Sequence, residues 1–149
     1  MVKRVSLSHA PCPVARALDV IGDWWSLLII RDALEGVRRF SAFQSSLGIA
    51  KGMLAARLRA LIERGIMTQA PASDGSAYRD YVLTPKGQAL HLVIAALRQW
   101  GEAELYESNE AHSMLVDTRD AVPVAPLILR SADGRTLHWS DTQVQRVRD

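Results

Sequence analysis

Lys51, Arg57 and Arg59 stand within the stretch KGMLAARLRALIERG, interleaved with the small residues Gly52, Ala55 and Ala56. On a 3.6-residue period with Leu54 at the centre of a buried face, Gly52, Ala56, Arg59 and Glu63 point directly away. Lys51 and Ala55 lie at the flank, and Arg57 falls between the two faces. Small side chains let a helix backbone come close to a polyanion, and the cations can meet phosphates or base edges. A solvated helix face has the same composition, so the pattern needs support from its surroundings. Arg57 is open to two readings, a groove contact or a structural ion pair.

Two further arginines bear on the same chemistry. Arg38 and Arg39 precede the stretch, where they either touch a phosphate backbone or are simply solvated. Catalytic patterns are missing: the histidines (His9, His91, His112, His138) are scattered without HExxH spacing, and no GxSxG, phosphate loop or dinucleotide fingerprint occurs. The chain is therefore not expected to be an enzyme, and no cofactor or metal is expected. Cys12, the only cysteine, excludes an internal disulfide and a multi-cysteine zinc site. It stands at a helix start, where partial positive charge favours thiolate, with Lys3, Arg4 and Arg16 nearby in sequence. Flanking prolines and the usual behaviour of a free thiol point instead to an inert, packed residue.

The elements that must hold these residues follow from local signals. Ser41 is placed to cap a short helix, and Gln44 completes a capping box with it. Phe43 and Leu47 give that helix one buried stripe, and Gly48 ends it. Three residues on, a longer helix buries Leu54, Leu58, Leu61 and Ile62, with Gly65 just past its end. Helices joined this tightly cross steeply, as in a helix-turn-helix. Residues 66–70 and 78–83 then read as two strands around the turn cluster Ser73-Asp74-Gly75-Ser76. That order is a winged helix.

Upstream, Cys12-Pro13 opens a first helix with Val14, Leu18 and Ile21 on one side and Gly22 at its close. Asp23 caps a second, WWSLLIIRDALEG, apolar almost all round and so expected at the centre of the core. Its Arg31 requires an acid or carbonyl partner. Downstream, Thr84-Pro85 starts a helix expected to run to Tyr106. Leu90, Val93, Leu97 and Trp100 fall along it at the spacing of a helix-packing seam, which serves either the same domain or a second subunit.

At 149 residues and 48% hydrophobic content the chain has room for one cored domain and an appendage. A net charge of +2 does not by itself imply nucleic acid. No apolar run reaches membrane-span length and no signal peptide is evident, so a cytoplasmic location, with no membrane partner, is expected.

CPVARALDVIGDWWSLLIIRDALEG, then RRF, the helix-turn-helix and YRDYVLTPKGQAL together closely resemble the HxlR-type bacterial transcriptional regulators, cousins of the MarR family. The resemblance covers about residues 11–102. It implies a homodimeric winged helix that binds double-stranded DNA at a pseudo-palindromic operator, usually as a repressor, on the nucleoid. It also implies a dimer built from the N-terminal helix (Val14, Leu18) and the last long helix (Leu90, Val93, Leu97, Trp100). Lys51, Arg57 and Arg59 would fall on the recognition helix and Arg79 on the wing. Several members of that family sense oxidants or electrophiles through a cysteine at the place of Cys12. Two departures stand out. Ala50 occupies the cap position of the recognition helix, at a cost of about 1 kcal/mol. Gly52, Ala55 and Ala56 replace longer polar groups, leaving base reading mainly to Lys51 and Arg59, or to DNA shape.

The expected class is thus mainly α with a small β-wing, a winged helix-turn-helix plus a short β-rich C-terminal appendage. Its parts are an arm over residues 1–10, a DNA-binding and dimerisation domain over 11–108, and an appendage over 109–149. In the appendage, residues 122–130, a Ser131–Gly134 turn and residues 135–139 read as a β-hairpin, with a third strand near 144–147. It resembles a zinc-ribbon-like family tail without its cysteines, and serves as a packing module or as a ligand or partner surface. The competing functional classes are a redox sensor acting through Cys12 and a winged helix used only for protein contacts. No effector is legible.

Overall fold

The computed structural model describes residues 5–148, so Lys3 and Arg4 lie outside the described residues. The chain divides into two compact units, Met1–Leu92 and Val93–Asp149.

In the first unit, α1 (Pro13–Ile21) begins on Pro13 with Cys12 at its N-cap, and Gly22 closes it. The Asp23 carboxylate accepts from the Ser26 N–H at 2.9 Å and from its hydroxyl at 2.6 Å, starting α2 (Trp24–Leu34). Ile29 and Ile30 of α2 are wholly buried, and Arg31 donates to Asp32 at 2.7 Å. Its first residue is not covered: Trp24 is 70% exposed and meets half-buried Trp25 edge-on.

α3 (Phe40–Leu47) and α4 (Lys51–Glu63) follow, joined by Gly48 in the left-handed conformation (φ 61°) that ends α3. The capping box expected at Ser41 and Gln44 does not form; Arg39 is the N-cap, with no side-chain cap bond. The reason lies at Arg38 and Arg39. The Arg38 carbonyl accepts from the Tyr81 N–H at 2.8 Å and Arg39 is ion-paired to the wing, so the chain turns into the helix two residues earlier. Phe43 of α3 and Leu54, Leu58 and Leu61 of α4 are all buried.

The wing is β1 (Met67–Pro71) paired antiparallel with β2 (Arg79–Leu83), in the register Met67↔Leu83 to Pro71↔Arg79. Thr84 caps a single turn, α5 (Pro85–Gln88), accepting from the Gly87 N–H at 3.1 Å. A side chain at Gly87 would place its Cβ 2.1 Å from the Ile66 carbonyl oxygen, so only glycine lets this turn lie against the sheet. The long helix expected from Pro85 to Tyr106 is therefore broken. With its first turn held to the sheet, the chain tightens through a Leu90 N–H to Gly87 carbonyl bond (3.0 Å), and α6 (His91–Glu104) starts afresh.

The second unit holds most of α6 and the tail. The expected β-hairpin reduces to one bridge, Arg130↔Thr136, around the Ser131 turn, with a second bridge at Val116↔Pro123. Pro123 and Pro126 remove ladder donors where the first strand would have run. A short 3-10 turn covers Trp139–Asp141, and no strand forms at 144–147.

Candidate nucleic-acid interface

α4 presents the face that its period demands. Lys51, Gly52, Ala56, Arg59 and Glu63 are exposed, Ala55 is half-buried, and Leu54, Leu58 and Leu61 face the core. No side chain caps the helix at Ala50. Gly52 and Ala56 leave the exposed ridge low, so the backbone of the first two turns can approach a surface closely. Among the described residues, Lys51 and Arg59 have no carboxylate within ion-pair distance, and neither does exposed Arg79 at the start of β2.

Arg57 differs from its neighbours. Its Nε lies 3.6 Å from Asp23 Oδ2, the carboxylate that caps α2, and its side chain is partly covered. It ties α4 to α2, which fits the structural reading of its intermediate angle.

Arg39 is engaged within the wing. Its Nε sits 2.9 Å from Asp80 Oδ1, and its Nη2 lies 2.7 Å from Asp74 Oδ2 and 3.2 Å from the Ser76 hydroxyl. The guanidinium also lies over the Tyr78 ring. Two carboxylates and a hydroxyl thus engage the Arg39 guanidinium within the wing. Arg38 is 3.9 Å from Asp80 and more than half exposed, and stays available at the edge.

The residues that composition alone did not mark are Asp80 and Asp74. Asp80 is buried on a five-residue strand whose first residue, Arg79, is exposed. An acid at an inward strand position requires a cation, and the Arg38-Arg39 pair was the signal available. Asp74 turns the wing tip: the Ser76 N–H donates to its Oδ1 at 2.9 Å. That bond and the Ser76 hydroxyl, with the Arg39 guanidinium behind them, hold the Asp74 carboxyl below the ordinary carboxylate range.

A helix-turn-helix whose second helix carries small residues among its exposed cations, followed by a pinned hairpin, is a winged helix. A family model described as HxlR-like helix-turn-helix matches residues 20–109. The chain belongs to the HxlR-like helix-turn-helix family. DNA binding is what membership of this HxlR-like family implies. An uncharacterised HTH-type transcriptional regulator of Mycobacterium tuberculosis (strain CDC 1551 / Oshkosh) is 42% identical over 92 residues, covering 62% of this chain and 58% of that protein. The chain thus spans less than two thirds of the length of this curated relative. The crystal structure of PA1607, a candidate transcription factor, is 51% identical with a TM-score of 0.89, covering 95% of this chain and 99% of that one. The redox regulator HypR in its oxidized form is 30% identical with a TM-score of 0.58, covering 64% of this chain and all of its own.

The remaining sites lie apart from the α4 face in sequence. Cys12 is exposed and its side chain makes no cap bond, while Arg16 donates to the Ala10 carbonyl at 2.6 Å. On α1, Val14 is 65% and Leu18 48% exposed. On α6, Val93, Leu97 and Trp100 are exposed, whereas Leu90, in the turn before the helix, is half-buried. Among the described residues no group of three or more His, Cys, Asp or Glu could hold a metal, and no helix is long and apolar enough to cross a membrane.

Proposed function

We propose that this HxlR-like chain is a transcriptional regulator acting as a homodimeric repressor at a pseudo-palindromic operator. Two copies joined through α1 (Val14, Leu18) and the last helix (Leu90, Val93, Leu97, Trp100) would set two α4 helices into successive major-groove turns. This places the protein on the nucleoid in the cytoplasm. The observation that carries the reading is the α4 face: small, exposed, and furnished with Lys51 and Arg59 that no carboxylate neutralises among the described residues. Arg59 reads a base edge, Lys51 a base or phosphate, and Arg79 and Arg38 contact the backbone. Gly52, Ala55 and Ala56 bring the helix axis close, with methyl groups suited to thymine. Arg57 acts from behind, through Asp23.

Selection from a random DNA library by gel shift tests the reading. The selected half-sites should repeat about 34 Å apart, one helical turn. If each subunit touches three to five phosphates, raising salt from about 50 to 200 mM should weaken binding by on the order of a thousandfold. A light-scattering mass of one chain at micromolar concentration, with no shifted DNA, would sink it.

A second reading has its own observation: Cys12 is exposed at a helix start, and HypR, described as a redox regulator, is among the similar structures. Two Cys12 thiols from two subunits would give one disulfide as hydrogen peroxide is reduced to two waters, moving α1 at the dimer interface. Operator affinity before and after peroxide or diamide, in wild type and Cys12→Ser, decides it. A response that survives Cys12→Ser ends this reading.

A further inference from the structure

The unit Val93–Asp149 has one buried hydrophobic residue among those described, Ala95. Its tail is nevertheless fixed in place along one side of α6. Gln99 clamps the extended backbone with both ends of its amide: Nε2 donates to the Ala125 carbonyl at 3.1 Å, and Oε1 accepts from the Leu127 N–H at 2.7 Å. Arg98 donates to the Ser113 carbonyl at 3.2 Å. The Gln99 side of α6, with Ala95, Arg98 and Glu102, faces Met114, Leu115, Pro123 and Val124 across a small cleft. On a 3.6-residue period, that side is opposite Val93, Leu97 and Trp100. One helix therefore carries its own tail on one flank and an uncovered apolar seam on the other.

Past the clamp, Leu137 is half-buried and the other large apolar side chains are exposed. Ile128 is 49% exposed, Leu129 61%, Trp139 88% and Val144 83%. Ordering a backbone costs roughly 1–2 kcal/mol per residue, and here almost no burial offsets it. Between Leu127 and Val147, six large apolar side chains are 47–88% exposed. At roughly 150 Å² for a full side chain this is on the order of 600 Å² per copy, about three quarters of one partner's share of a standard interface. The covering surface is not a polyanion, because residues 107–148 carry five arginines against six carboxylates.

We infer that the segment 127–147 is an exchange arm, packing in the homodimer on the second copy of this chain. The inference rests on the homodimer proposed above. A second copy is the fitting occupant because the same helix bears the proposed dimer seam, and a two-fold axis makes the exchange reciprocal, each arm covered as it covers. Gln99 aims the arm and the seam brings its acceptor.

The full-length chain carrying Leu129→p-benzoylphenylalanine, irradiated at micromolar concentration, should give a covalent species of two chains. Leu129→Asp and Trp139→Ser, followed by sedimentation equilibrium, should each raise the dimer dissociation constant tenfold or more. A dimer by sedimentation that crosslinks only within single chains, or keeps its dissociation constant in both variants, overturns the arm and leaves the dimer standing. A wild-type chain that sediments as a monomer overturns both.

Discussion

Replacing Arg39 by alanine separates a structural arginine from a DNA-reading one. The Asp80 side chain is 2% exposed and faces Arg39 Nε at 2.9 Å, so truncation leaves a buried carboxylate without its closest cation. Breaking a fully buried pair costs about 3–5 kcal/mol, and an exposed pair under about 1. Arg39 is 28% exposed, its approach to Oδ1 is too poorly aligned for a hydrogen bond, and Arg38 remains 3.9 Å from Oδ2. The Ser73 N–H also reaches Oδ2, at 3.4 Å. These place the expected loss between the exposed and buried ranges, at about 2 kcal/mol. In urea, with a slope of roughly 1–3 kcal/mol per molar, the midpoint should fall by about 1 M. Arg39→Ala/Asp80→Asn should recover part of that loss, because no charge is then left buried. An Arg39→Ala protein with the wild-type midpoint but tenfold weaker operator binding would refute this assignment and return Arg39 to the DNA surface.

Three further outcomes are expected. Arg59→Ala should reduce discrimination between good and poor operators by about 1–3 kcal/mol, while Arg79→Ala weakens all sequences alike and flattens the salt dependence. Equal losses on specific and random DNA for Arg59→Ala would remove it from base reading. Ala50→Ser should raise stability by about 1 kcal/mol, since the cap residue already has extended geometry (φ −63°, ψ 140°) and lacks only the oxygen; an unchanged thermal midpoint would count against it. Asp74 is held below its ordinary value by Ser76 first and Arg39 after it, so its stabilising contribution is complete above about pH 4 and is lost as pH falls through the lowered value. Amide exchange at Ser76, whose N–H the Asp74 carboxylate accepts, should therefore quicken relative to the core in acid, and uniform protection from pH 5 to 3 would contradict it.

What was legible in the sequence is what the chain decides locally. Asp23 as a cap, Pro13 and Pro85 at helix starts, Gly48 and Gly65 at helix ends, and the Leu54–Leu58–Leu61 stripe all act within one or two turns, and each is where its neighbours required it. The same local grammar misplaced the start of α3. Ser41 and Gln44 have the right spacing for a capping box, but the turn is set by Arg39, whose partners Asp74 and Asp80 are 35 and 41 residues away. Periodicity also ran Pro85 to Tyr106 as one helix, because a close approach of Gly87 to the Ile66 carbonyl is a tertiary fact that no helical period contains.

The α4 face was legible in part for the same reason. Exposure of Lys51, Gly52, Ala56 and Arg59 follows from the period, since one buried stripe fixes its opposite. The partition of the arginines does not, because a cation's role depends on which acid the fold brings to it. Asp23 meets Arg57 because α2 and α4 pack together, and Asp80 meets Arg39 because β2 returns to the start of α3. In both cases a carboxylate already required for local structure draws one arginine inward and leaves its neighbour, Arg59 or Arg38, outward. The distinction between reading and bracing cations is thus set by the acids. A substitution that frees such an acid, such as Arg57→Ala at Asp23, should disturb the helix it braces before it disturbs any base contact. The order of the two losses, midpoint first and operator discrimination second, is measurable by following both along a urea series; the reverse order would make Arg57 a groove residue after all.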